Sequence, residues 1–165
     1  RYVAAIALVA IISTALYFAV RPATPVDELY SANYARYESP GAVRSAVSSG
    51  NTLMENAIAS YSAREYDKAI GFLEQVIVIE KDNMESVFMH GMANMEVSNY
   101  PVASGSFTKV IEHNDNLYLE DAAWYLGLCY MMTDNNDKAV KQFDAIAASK
   151  SRYSRQAARL ARKLR

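Results

Sequence analysis

The chain has 165 residues, and its 17 Lys and Arg residues nearly balance its 18 Asp and Glu residues, so the formal net charge is −1 at pH 7. This length is enough for one ordinary domain with appendages. A single cysteine excludes an internal disulfide framework, and the two histidines have no second ligand at metal spacing. With no phosphate-loop or dinucleotide motif either, the sequence predicts no catalytic residue, metal or cofactor, and no enzyme.

Charge is unevenly distributed along the chain. All 18 acidic residues fall within residues 22–149, whereas residues 150–165 contain basic side chains and no acidic one. These basic residues are Lys150, Arg152, Arg155, Arg159, Arg162, Lys163 and Arg165. The sequence therefore predicts an acidic body followed by a basic helix.

Residues 2–20, YVAAIALVAIISTALYFAV, form an uncharged apolar segment. A helix of this length spans about 28 Å, close to the roughly 30 Å hydrocarbon core of a bilayer. Tyr2 lies at one end and Tyr17 and Phe18 at the other, where aromatic rings favour the headgroup region. We expect residues 1–21 to be a single transmembrane anchor. The alternatives are a buried core helix and a cleaved signal peptide, whose apolar region is usually shorter. The membrane orientation stays open.

Residues 22–50 are predicted to form a tyrosine-rich juxtamembrane helix and a linker. The sequence TPVD at 24–27 is typical of a helix start, with a capping threonine, a proline in the first turn and an acid three residues after the cap. A Ser-Pro-Gly turn at 39–41 would end this helix. At helical spacing, one face would carry Tyr30, Tyr34 and Tyr37.

Residues 51–149 contain one template three times. The matching segments are YDKAIGFLEQVI at 66–77, YPVASGSFTKVI at 100–111 and NDKAVKQFDAIA at 136–147. Each has an alanine followed four residues later by Leu or Phe, and a small residue 12 positions before that alanine, namely Ala57, Gly91 and Gly127. A helical pair repeating about every 34 residues is the signature of tetratricopeptide repeats. The segment 51–149 therefore resembles three tetratricopeptide (TPR) repeats, and the whole chain resembles bacterial membrane-anchored TPR proteins.

The basic segment 150–165 is predicted to be a capping helix. Its apolar stripe would seal the last repeat while its arginines face water, as the end of a solenoid requires. The stripe consists of Tyr153, Ala157, Leu160, Ala161 and Leu164. An additional electrostatic contact with anionic lipid stays open, and no nucleic-acid partner is predicted.

The resemblance implies that the first helix of each pair lines a concave groove. The predicted protein-binding groove consists of Met54, Ile58, Tyr61, Phe88, Met89, Met92, Met95, Trp124, Tyr125, Leu128, Met131 and Met132. Every methionine except Met84 lies on this surface, and flexible methionine side chains are typical of adaptable binding surfaces. Three interpretations remain: a groove for a protein partner, a groove filled by the chain's own residues 27–38, and an ordinary core stripe.

The predicted fold class is all-α: a TPR-like helix-turn-helix solenoid of three repeats plus a capping helix, behind a single N-terminal transmembrane helix. The resemblance implies a scaffold or adaptor that binds a protein or peptide segment, with the repeats in the periplasm at the bacterial inner membrane. The groove positions offer no Lys or Arg for a terminal carboxylate, so an apolar segment is expected. The alternative is the extracytoplasmic sensing half of a membrane regulator whose cytoplasmic domain lies upstream. Self-association also stays open.

Overall fold

The computed structural model describes residues 25–38 and 52–165, and every regular element within these two ranges is an α-helix. The helices are α1 Pro25–Ser31, α2 Thr52–Ser62, α3 Tyr66–Ile79, α4 Met84–Glu96, α5 Tyr100–His113, α6 Leu119–Met132, α7 Asn136–Ala148 and α8 Ser154–Leu164. The predicted anchor and linker lie outside the described residues. Among the described helices, none combines the length and apolar character needed to cross a bilayer.

From α2 to α8, each helix packs mainly against its neighbours in the chain, while α1 packs against the distant helix α6. The second helices of the three pairs begin at Tyr66, Tyr100 and Asn136, where the three template segments begin. Packing confined to neighbours is the arrangement of a solenoid. The described architecture is therefore compatible with an all-α helical repeat.

The turn inside each helix pair has the same backbone conformation. Arg64, Ser98 and Asp134 all have positive φ angles, of 64°, 60° and 55°. The residue after each of them donates its N–H to the carbonyl oxygen of Ser60, Asn94 or Tyr130, at 2.8, 2.7 and 3.0 Å respectively. This is the hydrogen bond that closes a Schellman motif at a helix end. The three pairs therefore share their turn geometry as well as their sequence template.

The two helices of a pair approach closely where a small residue faces a large one. A Cβ atom on Gly91 would lie 2.7 Å from Cε1 of Phe107, and a Cβ atom on Gly127 would lie 2.5 Å from Cε1 of Phe143. Both rings are fully buried. At the equivalent positions, the first pair has Ala57 in place of glycine and Leu73 in place of phenylalanine. The larger residue on the first helix is thus matched by a smaller one on the second helix. The combined volume at this contact is thus kept nearly constant across the repeat.

The prediction that one helix carries Tyr30, Tyr34 and Tyr37 on a single face is wrong. Helix α1 begins at Pro25 as predicted but ends at Ser31. Its end is closed locally, because the side-chain amide of Asn33 donates to the Leu29 carbonyl at 2.7 Å and the Asn33 N–H donates to the Tyr30 carbonyl at 2.9 Å. Residues 34–38 have no regular secondary structure.

The basic C-terminal segment forms α8, which packs against α7. The helix buries Ala157, Leu160 and Ala161 of the predicted stripe. Just before it, the Tyr153 ring stacks on Trp124 with centroids 4.8 Å apart. The apolar side of α8 therefore covers the end of the third helix pair.

Candidate functional site

The chain's own residues 32–38, which we call the strap, follow α1 and lie against the first helices of all three pairs. Arg36 contacts α2 through Tyr61, Tyr37 contacts α4, and Tyr34 contacts α6. The strap therefore crosses the surface that was predicted to be a protein-binding groove.

Two tyrosine rings of the strap contact aromatic rings of the groove. Tyr37 meets Phe88 edge to face, with ring centroids 5.0 Å apart, and Tyr34 meets Tyr125 in the same way at 6.2 Å. Tyr34 also stacks on Tyr30 of α1 at 5.2 Å. Aromatic pairs at these distances add about 0.5–1.5 kcal/mol each beyond the area they bury. Tyr34 and Tyr37 thus pack against the hydrophobic core.

Hydrogen bonds to α4, α6 and α8 hold the strap at three points, in addition to the one that Arg36 donates to α2. The Tyr34 hydroxyl donates to the Glu96 carboxylate on α4, and the Tyr125 hydroxyl donates to the Ala35 carbonyl at 2.7 Å. At the other end of the groove, the Gln156 amide on α8 donates to Asn33 Oδ1 at 2.9 Å. Side chains from different helices therefore determine the path of the strap.

Arg36 places a cation among aromatic rings. Its guanidinium carbon lies 5.3 Å from the centroid of Tyr61 and 5.7 Å from that of Tyr66, and its Nη2 donates to the Tyr61 carbonyl at 3.0 Å. Within the described residues, the buried Arg36 Nε and Tyr61 hydroxyl have no protein hydrogen-bond partner. Cation–π contacts and one hydrogen bond to a backbone carbonyl therefore hold this guanidinium.

Burial controls the protonation of the tyrosines at this surface. Loss of hydration raises the pKa of Tyr34, and the hydrogen bond to Glu96 raises it further. Burial likewise raises the pKa of Tyr125. Both phenols therefore stay neutral at physiological pH and act as hydrogen-bond donors.

Nearly all of the predicted groove residues are buried. The buried ones are Ile58, Tyr61, Phe88, Met89, Met92, Met95, Trp124, Tyr125, Leu128 and Met131, while Met54 and Met132 are half-buried. Tyr61, Phe88 and Tyr125 have specific contacts with the strap, whereas Trp124 contacts Tyr153 and Phe143 instead. In the described structure the chain's own strap lies on this surface and contacts Tyr61, Phe88 and Tyr125.

Two polar residues at the groove were not predicted from the sequence. Glu96 accepts a hydrogen bond from the strap, and Arg36 brings a cation to a surface whose own helices supply none. Glu96 lies four residues after Met92 and so on the same helical face, a signal that could have identified it. Nothing in the local sequence indicated where Arg36 would lie.

His90 belongs to a small polar cluster between α4 and its neighbours. Its Nδ1 lies 2.8 Å from the Ser106 hydroxyl, its Nε2 lies 3.3 Å from the Asn94 amide nitrogen, and the Glu74 carboxylate is 3.8 Å away. No group of three potential metal ligands occurs among the described residues. The contacts of His90 are those of a satisfied interior side chain.

We expect the cluster around His90 to make stability depend on pH. Burial lowers the pKa of His90, and the nearby Glu74 carboxylate only partly opposes this effect. Below about pH 6.5 the unfolded chain therefore binds a proton that the folded chain does not, so the free energy of unfolding decreases as the pH falls. Urea unfolding between pH 7.5 and 5.5 should show a smaller decrease for His90→Gln than for the wild type. The exposed His113→Gln is the control and should keep the wild-type slope; equal slopes for both variants would contradict this assignment.

No protein-family model matches the chain, and comparison with curated proteins gives no match either. The groove and its strap are therefore the observations from which a function can be argued. At this surface, rings of the strap meet rings of the groove helices, and a few directed hydrogen bonds join the two.

Proposed function

We propose that the protein is a membrane-anchored TPR-type scaffold whose groove binds a segment of another protein in place of the strap. The observation that carries this proposal is the strap itself, a segment without regular secondary structure that lies on a largely buried apolar surface. Phe88, Met92 and Met131 of this surface are completely buried, and Phe88 contacts Tyr37 of the strap. The strap supports this proposal, because it is a peptide segment that already lies on the groove surface.

The strap is attached in a way that favours exchange. Tyr34 and Tyr37 are only half-buried, and Ala35 and Glu38 are exposed. Extended segments that bind by a few side chains are held less firmly than packed helices, and local opening is expected to begin there. A competing segment that supplied hydrogen bonds to the Tyr61 hydroxyl would have an advantage over the strap.

The contacts of the strap indicate the chemistry of the partner. Two tyrosines enter the groove on either side of an arginine that lies on aromatic rings, in the sequence YARY at 34–37. Glu96 offers a carboxylate to the same occupant. The proposed partner therefore presents an extended segment with aromatic residues near a basic one.

The proposed location is the periplasmic side of a bacterial inner membrane, with residues 2–20 as a single-pass anchor. The support is the length and uncharged character of this segment. The proposed TPR assignment is supported by the template spacing and by the shared turn at Arg64, Ser98 and Asp134.

A second candidate function, the sensing half of a membrane regulator, is favoured by the place of the strap in the chain. The strap follows α1, and α1 follows the proposed anchor, so displacement of the strap would alter the segment next to the membrane. A ligand that binds only the form with the strap released would shift the equilibrium between docked and released strap. Its binding would thereby change the segment next to the proposed anchor.

Photo-crosslinking tests whether the groove has a foreign ligand. Benzoylphenylalanine replaces Phe88, whose ring contacts Tyr37, and the outer-surface Val78, which is 73% exposed, is substituted in the same way as a control. We expect the Phe88 probe to link to the strap in the wild-type background. With Tyr34→Ala and Tyr37→Ala it should link to one foreign protein, and a synthetic peptide of residues 30–38 should abolish that link. Only internal links in both backgrounds would contradict the proposal and identify the surface as a closed core.

A further inference from the structure

Helix α8 and the first two residues of the strap line an open cavity of about 740 Å³. Ala32 and Asn33 form one wall, and the cations Arg155, Arg159, Arg162 and Lys163 line the other. All four cationic residues are exposed, and no carboxylate lines the cavity. These four positive charges therefore face one shared space.

The cations of this cavity are not neutralised by the protein. Arg152 at its edge is engaged by the Asp121 carboxylate, and Arg165 pairs with Asp144 at 2.5 Å. Within the part of the chain that the structure describes, Arg155, Arg159 and Lys163 form no salt bridge. Neighbouring cations in a concave surface focus a positive potential that attracts anions.

We propose that this cavity binds the phosphate headgroup of an anionic phospholipid, and this inference rests on the proposed membrane anchor. The chain runs from the anchor through α1, a helix of seven residues and about 10 Å, before it reaches the cavity at Ala32. The cavity is therefore held near the membrane surface. All 18 acidic residues lie outside the basic segment 150–165, so an anionic membrane attracts this end of the molecule and repels the rest.

Headgroup binding at this place would also act on the strap. Asn33 forms the cavity wall and accepts a hydrogen bond from Gln156 of α8 at 2.9 Å. A phosphate that contacts both walls joins the strap to α8 and so favours the docked strap. Binding of anionic lipid is thus expected to weaken binding of the partner in the groove, and the partner is expected to weaken lipid binding in turn.

The test uses the full chain in neutral detergent micelles, to which phosphatidylglycerol or phosphatidylcholine is added. We expect phosphatidylglycerol to raise the midpoint of thermal unfolding by about 3 °C and phosphatidylcholine to leave it unchanged. Arg155→Gln/Arg159→Gln should lose most of this shift. The control Lys109→Gln/Lys141→Gln removes two exposed charges outside the cavity and should keep it. Circular dichroism without lipid checks that both double variants are folded.

Three outcomes would overturn the proposal. The Arg155→Gln/Arg159→Gln variant could show the same shift as the wild type. Inorganic phosphate at the same phosphate concentration could raise the midpoint as much as the lipid does, which would identify free phosphate as the ligand. A polyglutamate peptide could raise the midpoint more than the lipid does, which would identify an acidic protein as the ligand.

A separate experiment tests the proposed membrane anchor independently of the cavity. Flotation of the full chain with vesicles of phosphatidylcholine alone depends on the apolar segment 2–20 and not on the cavity. Loss of flotation would defeat the proposed anchor, whereas the lipid-dependent shift in detergent reports on the cavity itself.

Discussion

Replacing Gly127 with alanine is expected to lower the free energy of unfolding by about 1–2 kcal/mol. The new Cβ would lie 2.5 Å from Cε1 of Phe143, closer than any real contact, so the ring or the helix has to move. The ring is fully buried and packs on Trp124, so it has no free space to enter. Overpacking of this kind costs about 1–3 kcal/mol, which outweighs the gain of up to about 1 kcal/mol from alanine in a helix. Urea unfolding measures the difference.

Gly105→Ala is the matched control for this substitution. Gly105 also lies within a helix, but a Cβ there has nothing within 4 Å. Only the helix propensity then changes, and we expect the free energy of unfolding to rise by about 0.5–1 kcal/mol. Opposite signs for the two substitutions would isolate the contact between the helices. If both variants are stabilised, the proposed close contact is wrong.

The first helix pair suggests a second substitution that should restore part of the stability lost in Gly127→Ala. It carries Ala57 and Leu73 where the third pair carries Gly127 and Phe143. Gly127→Ala/Phe143→Leu reproduces that combination, so the double variant should be more stable than the sum of the two single effects predicts. A coupling energy of about 1 kcal/mol or more in a double-mutant cycle would confirm that the two positions compete for one volume.

Tyr34→Ala/Tyr37→Ala is expected to release the strap and to weaken its docking by about 2–3 kcal/mol. This estimate takes the 3–5 kcal/mol cost of truncating a buried aromatic residue and reduces it, because both side chains are only half-buried. The hydrogen bond to Glu96 is lost as well. Since cleavage of an opened segment follows its population, trypsin should cut after Arg36 about 30-fold to 160-fold faster.

Tyr130→Ala serves as the control for strap release. Tyr130 is a half-buried tyrosine on α6 whose ring contacts Lys138, and no ring contact or hydrogen bond joins its side chain to the strap. Its loss should lower overall stability without a selective increase in cleavage after Arg36. Unchanged cleavage in Tyr34→Ala/Tyr37→Ala would show that other contacts hold the strap.

The helices of the repeat could be derived from local pattern. The template segments at 66–77, 100–111 and 136–147 predicted where α3, α5 and α7 begin, because helix starts depend on nearby residues. Gly91 and Gly127 could be recognised as small positions because the same spacing recurs in each unit. The stripe of Ala157, Leu160 and Ala161 was equally visible, since amphipathic spacing is a local property.

The strap could not be derived in this way. The spacing of Tyr30, Tyr34 and Tyr37 fits a helix, yet residues 34–38 have no regular secondary structure and contact residues far away in the chain. Tyr34 bonds to a residue 62 positions away, and Ala35 to one 90 positions away. Interactions at such separations leave no periodic signal in the sequence around either partner.

The same limit applies to the turns and to the basic cavity. Arg64 and Ser98 adopt a left-handed conformation that usually calls for glycine or asparagine, because packing of the helix pair outweighs their local preference. The arginines of α8 were visible as a charged segment, but the wall formed by Asn33 was not. Periodicity and charge along the chain thus specified the helices and their faces, while the packed helices alone determined which surface the strap covers and which cations share a cavity.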